Sequence, residues 1–102
     1  MSVIVITKFP GQATNLERVA QGEHSETLER ISDDAMQRGA LHHLFVQDTD
    51  GSVLVIDEWE TEEAFQTFFA AQTDIPRVAA EAGVTGPPTS TVYRILDTPG
   101  RF

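Results

Sequence analysis

The chain has 102 residues, 40% of them hydrophobic and 23% charged, which is enough for one globular core spanning residues 1–102 and too little for two. It contains no cysteine, which excludes disulfide frameworks, thiolate metal centres, iron-sulfur clusters and cysteine nucleophiles. Sixteen acidic against seven basic side chains give a formal charge of -9, so neither nucleic acid nor an anionic membrane is expected as a partner. The apolar run Val3 to Ile6 is shorter than a signal-peptide core and lacks a basic flank, and nothing approaches a membrane span, so a soluble cytoplasmic protein is expected.

Ser2 to Phe9 (SVIVITKF) is rich in β-branched residues and stops at Pro10-Gly11, which reads as a strand closed by a turn. Thr14 and Glu17 have capping-box spacing, and Leu16, Ala20, Leu28, Ile31 and Ala35 form one helical stripe ending near Gly39, which predicts a long helix from about Asn15 to Arg38. Gly22 inside it costs roughly 1 kcal/mol relative to alanine and marks a place for a bend or break. Leu41 to Asp48 and Ser52 to Trp59 are strand-like runs around Thr49-Asp50-Gly51, where Asp-Gly suits a tight hairpin turn. Thr61 caps the next helix, whose first turn carries Glu62 and Glu63 and whose buried face is Phe65, Phe68 and Phe69. A short helix capped by Asp74 follows, with Pro76 in its first turn and its end at Gly83. Gly86-Pro87-Pro88 is a rigid linker, Thr89 to Leu96 the last strand, and Asp97 to Phe102 an irregular tail.

The order β-α-β-β-α-β predicts an α+β, ferredoxin-like sandwich with two helical regions on one face of a four-stranded antiparallel sheet. The other face would be polar in a monomer. Consecutive apolar residues in Val3 to Ile6 and Val53 to Ile56 instead put apolar groups on both faces. A homodimer through the open sheet face is the expected cover, with an unusually apolar monomer as the alternative.

Hairpin register decides which histidine can meet an acid. With a two-residue turn, His42 faces Trp59 and Leu44 faces Asp57; with a four-residue loop, His42 lies opposite Asp57. Either even length puts His42, Asp57 and Trp59 on one face, whereas an odd loop with Gly51 in the left-handed region substitutes His43 for His42. A histidine beside an aspartate is a base held in one tautomer. The competing reading is a half-solvated edge-strand histidine, with Asp57 satisfied by backbone donors. His24 sits in the helix stripe between Ala20 and Leu28 and should point at the sheet, either towards this face or as a satisfied core residue; beyond a break at Gly22 it would be exposed. Trp59, Phe65 and Phe69 either wall a site for a planar aromatic or hydrophobic ligand or are simply core. Tyr93 is a candidate proton donor or an ordinary strand tyrosine. No metal site is expected, because His42 and His43 point opposite ways and no ligand-type histidine spacing exists. Phosphate-binding glycine loops and nucleophile elbows are also absent.

The segment LVIDEWETEEAFQTFF (Leu54 to Phe69), with its strand ending in Glu-Trp-Glu and an acidic helix start, resembles the signature of the antibiotic-biosynthesis monooxygenase family of dimeric α/β-barrel proteins. Gly39 to Val46 and Tyr93-Arg94-Ile95-Leu96 fit the same pattern, so the resemblance spans nearly the whole chain. It implies a ferredoxin-like fold, a homodimer and a pocket between sheet and helices. Trp59 matches the family's pocket tryptophan, and Asp57 stands where acids are frequent. Val5 occupies the place of the first-strand asparagine of haem-degrading members, and no histidine follows His43, which argues against haem degradation. Asn15, the only asparagine, does not match the substrate-binding asparagine of quinone-forming members. The resemblance thus implies cofactor-independent oxidation of a planar, phenol-like substrate, with His42 or His24 as base, Asp57 as its orienter and Trp59 as a stacking wall. A non-catalytic ligand-binding or partner-binding dimer is the first alternative. A cofactor-free isomerase or cyclase, needing the same base but no oxygen, is the second.

Overall fold

The β-branched N-terminal run forms an inner strand of a four-stranded antiparallel sheet, β1 (Val3–Phe9), flanked by neighbours on both sides. The computed structural model describes residues 2–22 and 24–102. After β1 come α1 (Ala13–Gln21), α2 (Ser25–Gln37), β2 (Ala40–Gln47), β3 (Val53–Trp59), α3 (Glu62–Ala71), α4 (Asp74–Glu81) and β4 (Thr89–Arg94). The strands lie in the order β2-β3-β1-β4, so this is the expected α+β sandwich, with each helical region made of two consecutive helices. Among the described residues no helix is long and apolar enough to cross a membrane.

Three expectations change in detail. The long first helix is two helices, since the chain leaves the helical region at Gly22 (φ -106°, ψ -133°), the position whose missing side chain makes helix continuation costly. The Thr14/Glu17 capping box does not form, because α1 already begins at Ala13 and its N-cap, Gln12, makes no side-chain cap bond. Asp74 is the first residue of α4 rather than its cap, and its carboxylate binds Arg30 and Arg77 instead. The Thr61 cap does form: its hydroxyl accepts from the Ala64 amide at 3.0 Å, satisfying an otherwise orphan donor.

The core lies between the sheet and the helices. Val5 and Trp59, both essentially fully buried, pack with Phe65 and Phe68 of α3, while Ile31 and Ala35 of α2 close over them. Phe9, Val53 and Val55 form a second cluster with Leu16, Ile75 and Val84. At about 25 cal/mol per Å² of apolar area, aromatic groups of this size dominate the burial energy. The alternation of β3, buried at Val53, Val55, Asp57 and Trp59 and half-buried between, identifies the inner face. The outer face carries Ile4, Ile6, Leu54 and Ile56, half-buried, with Leu44 and Tyr93 exposed. Among the described residues no layer of helices covers it, which agrees with the apolar second face read from the sequence.

Candidate functional site

The β2–β3 hairpin sets the site. Its closing bond runs from the Asp48 amide to the Ser52 carbonyl at 2.9 Å, and the Gly51 amide bonds the Asp48 carbonyl at 2.9 Å. The loop is therefore Thr49-Asp50-Gly51, an odd number of residues, with Gly51 at φ +89°. A left-handed glycine closing a three-residue hairpin is favoured because it carries no Cβ. Asp50 reinforces the turn by accepting from the Ser52 amide at 2.9 Å and from its hydroxyl at 2.5 Å.

Odd parity pairs His43 with Asp57 and His42 with Glu58. His42 therefore does not share a face with Asp57. Its ring lies on the outer side, largely exposed, with Nδ1 3.0 Å from Glu58 Oε1. His43 instead places Nδ1 2.6 Å from Asp57 Oδ1. Trp59 donates from Nε1 to the other oxygen, Asp57 Oδ2, at 3.3 Å. A bulge at Leu41 restores the face alternation, so that Ala40 lies opposite Trp59 on the inner side.

Asp57 is 8% exposed, and a carboxylate so placed needs donors on both oxygens to offset its desolvation. It has them in His43 and Trp59. Because a carboxylate oxygen only accepts, the proton of this bond sits on His43 Nδ1, which leaves Nε2 as the ring nitrogen not engaged by Asp57. The His43 ring meets Phe45 edge-on, with centroids 4.8 Å apart.

This pair borders a cavity of about 360 Å³ between the inner face of the sheet and α2, α3 and α4, a size that suits a small organic molecule. Trp59, Phe65 and Phe69 all line it. Trp59 packs edge-on to Phe65 (5.8 Å) and tilted on Phe68 (5.1 Å), and Phe65 stacks on Phe69 (5.5 Å). The wall is predominantly apolar, with side-chain polarity supplied by His42, His43, Asp57, Ser32, Thr7 and the Trp59 indole, and Thr7 is already engaged with the Ser90 hydroxyl at 2.9 Å. Exposed Met36, Leu41 and Phe45 mark the opening beside the β2 edge.

Two expected site residues lie elsewhere. His24, at the N-cap of α2, pairs through Nε2 with Glu81 of α4 and is not part of the cavity wall. The chain leaves the helical conformation at Gly22, so His24 lies outside α1 and meets Glu81 on α4. Tyr93 stands on the outer face opposite Ile4 and is 49% exposed, because the β1–β4 register puts Val92, not Tyr93, on the inner side. Ser32 also lines the cavity; its i+4 spacing from Leu28 places it on the same helical face. His42 also borders the cavity, with its side chain 77% exposed and paired with Glu58. Among the described residues no three His, Asp or Glu side chains converge as a metal site.

No protein-family model and no curated protein matches the sequence. Solved structures do. SnoaB, a cofactor-independent oxygenase from Streptomyces nogalater, superposes with a TM-score of 0.62 at 17% identity, over 98% of both chains. The monooxygenase from the gene ActVA-Orf6 of Streptomyces coelicolor, solved in complex with Nanaomycin D, gives 0.56 at 26% identity, covering 97% of this chain and 92% of its own. A putative antibiotic biosynthesis monooxygenase from Nitrosomonas europaea gives 0.63 at 11% identity, over 93% and 90%. The fold is thus that of the antibiotic-biosynthesis monooxygenase-like proteins, which the sequence signature at Leu54 to Phe69 resembles.

Proposed function

We propose that this chain is one cytoplasmic, monooxygenase-like domain that oxidises a planar, phenol-like molecule with oxygen and without a cofactor. The observation that carries the reading is the His43–Asp57–Trp59 chain of hydrogen bonds on the wall of a predominantly apolar cavity. Its support from outside the chain is that neighbours of the same fold include a cofactor-independent oxygenase and a monooxygenase bound to Nanaomycin D.

The chemistry needs little apparatus. His43 Nε2 accepts the phenolic proton, while Asp57, bonded to Nδ1, holds the ring and stabilises the resulting imidazolium. The electron-rich phenolate transfers an electron to oxygen, and the two radicals combine at a ring carbon bearing hydrogen to form a hydroperoxide. Loss of that hydrogen as a proton, with cleavage of the oxygen–oxygen bond and departure of water, leaves a carbonyl. Phenol plus oxygen thus gives quinone plus water. Trp59 and the phenylalanines exclude bulk water and hold the ring flat. A molecule of two or three fused rings fits the volume.

We also read the outer sheet face as the contact of a homodimer, because Ile4, Ile6, Leu54, Ile56 and Leu44 form an apolar surface that no helix of the described residues covers.

The test is oxygen uptake with a panel of naphthols and anthrols, wild type against His43→Ala. Uptake that depends on His43 supports the oxygenase. Turnover that depends on His43 but consumes no oxygen replaces it with an isomerase or cyclase. Tight binding with no turnover replaces it with a ligand-binding protein.

A further inference from the structure

The helices around the cavity are not held equally. Val19 of α1, Phe65 and Phe68 of α3 and Val78 of α4 are buried, whereas no residue of α2 is. The apolar stripe of α2, Leu28, Ile31, Ala35 and Met36, lines the cavity instead, with Ile31 and Ala35 resting half-buried on the Trp59 cluster. A helix with so little buried side chain opens locally at lower cost than its neighbours.

Polar contacts fasten α2 to the opposite rim along its length. Arg30 donates to Asp74 at the start of α4 at 2.9 Å, the Gln72 amide at the end of α3 donates to Asp34 at 3.1 Å, and His24 pairs with Glu81 at the end of α4. Exposed contacts of this kind hold weakly. Both flanks of α2 carry glycine. Gly22 has left the helical region, and Gly39 takes φ +117° with its carbonyl accepting from the Glu60 amide at 2.9 Å, so the backbone turns at either end without a Cβ to obstruct it.

We propose that α2 is a hinged lid over the cavity. It swings on Gly22 and Gly39 to admit the ligand past Met36, and it closes when His24, Arg30 and Asp34 regain their partners across the rim. Closure lays Ile31 and Ala35 over the Trp59 wall and shuts bulk water away from the His43–Asp57 pair, as a reactive phenolate requires. The part the lid plays in ligand entry rests on the reading of the cavity as a substrate site; the hinge itself does not.

The chain has no cysteine and a single tryptophan, so Arg30→Cys/Asp74→Cys supplies the only pair of thiols and Trp59 reports from inside the wall. With that pair joined by a short bis-methanethiosulfonate, 1-naphthol should associate about tenfold or more slowly than with wild type, followed by stopped-flow quenching of Trp59. Dithiothreitol should restore the rate to within about twofold. Asp34→Cys/Gln72→Cys, joined in the same way, should behave alike and decides the matter if the first variant is unfolded by circular dichroism. In unliganded wild type, the Ile31 and Ala35 amides should exchange hydrogen about tenfold or more faster than those of Phe68 and Phe69 in α3. Association that neither cross-link slows, or α2 amides as well protected as those of α3, overturns the lid and leaves the cavity reading intact. Failure of wild type to bind 1-naphthol overturns the cavity reading, and the exchange rates then decide the hinge by themselves.

Discussion

The Gly51 amide donates to the Asp48 carbonyl at 2.9 Å, and this turn decides which of two adjacent histidines meets Asp57. A side chain at Gly51 would have to adopt φ +89°, a conformation that costs an ordinary residue about 1–2 kcal/mol. Space is not the obstacle, because an added Cβ would meet only the flexible end of Gln12, at 3.2 Å. Gly51→Ala should therefore lower the melting temperature by roughly 4–8 °C per kcal/mol lost. A melting temperature equal to wild type would mean that the loop tolerates another geometry.

The same parity gives a sharper pair of variants. His43→Ala removes the base and should depress oxygen-dependent turnover about a hundredfold or more, the usual scale for a general base. His42→Ala removes a largely exposed ring on the opposite face and should leave turnover within about twofold. Asp57→Asn offers one acceptor where His43 and Trp59 need two, so it should lower turnover while the far-ultraviolet spectrum stays native. Equal effects of the two histidine variants would sink the assignment of His43.

How far the fold could be read follows from how local each signal is. The β-branched runs, the Thr61 cap and the apolar second face of the sheet depend on neighbours close in sequence, and the structure reproduces them. The His43–Asp57 pair depends on whether a loop holds an odd or even number of residues. Asp50-Gly51 serves an even two-residue turn as well as this odd one, so the sequence left both histidines open. His24 leaves the helix stripe because the chain breaks at Gly22, an outcome the glycine allows in the sequence without deciding it. Tyr93 depended on the β1–β4 pairing, joining residues about ninety positions apart, for which no local pattern exists.

Ile56 is the centre of the outer face, paired with Ile6 on one side and Leu44 on the other. A sheet-to-sheet homodimer would bury it. Ile56→Glu should convert the dimer to a monomer by sedimentation equilibrium, since a buried unpaired carboxylate costs several kcal/mol. The monomer should keep its secondary structure, because the half-buried Ile56 contributes no side chain to the inner core. A wild-type chain that sediments as a monomer at micromolar concentration would overturn the dimer.

Glu58 lies on that outer face with its carboxylate accepting from the Ser2 hydroxyl at 2.6 Å and paired with His42 Nδ1 at 3.0 Å. These bonds, the Ser2 hydroxyl foremost, hold its pKa below the ordinary glutamate value. At the other end, Lys8 bonds Asp50 at 2.8 Å and Asp48 at 3.2 Å. The Asp50 carboxyl is held well below the usual range, first by Lys8 and then by Ser52, and that of Asp48 is lowered by the Thr49 amide and Lys8. For all three the folded chain binds fewer protons than the unfolded one. Their contribution is therefore complete above the unfolded values, near 4, and fades as the pH falls through the lower folded ones. The Lys8 pKa is raised, chiefly by Asp50, so its share is complete below the unfolded lysine value and is lost only as the pH rises through the folded one. Urea midpoints should fall from about pH 6 to about pH 3, and Glu58→Gln should flatten that fall, because glutamine has no proton to bind. Asp50→Asn should flatten it independently, since it lies at the opposite end of the sheet. Profiles for both variants parallel to wild type would show that acid sensitivity resides in other carboxylates.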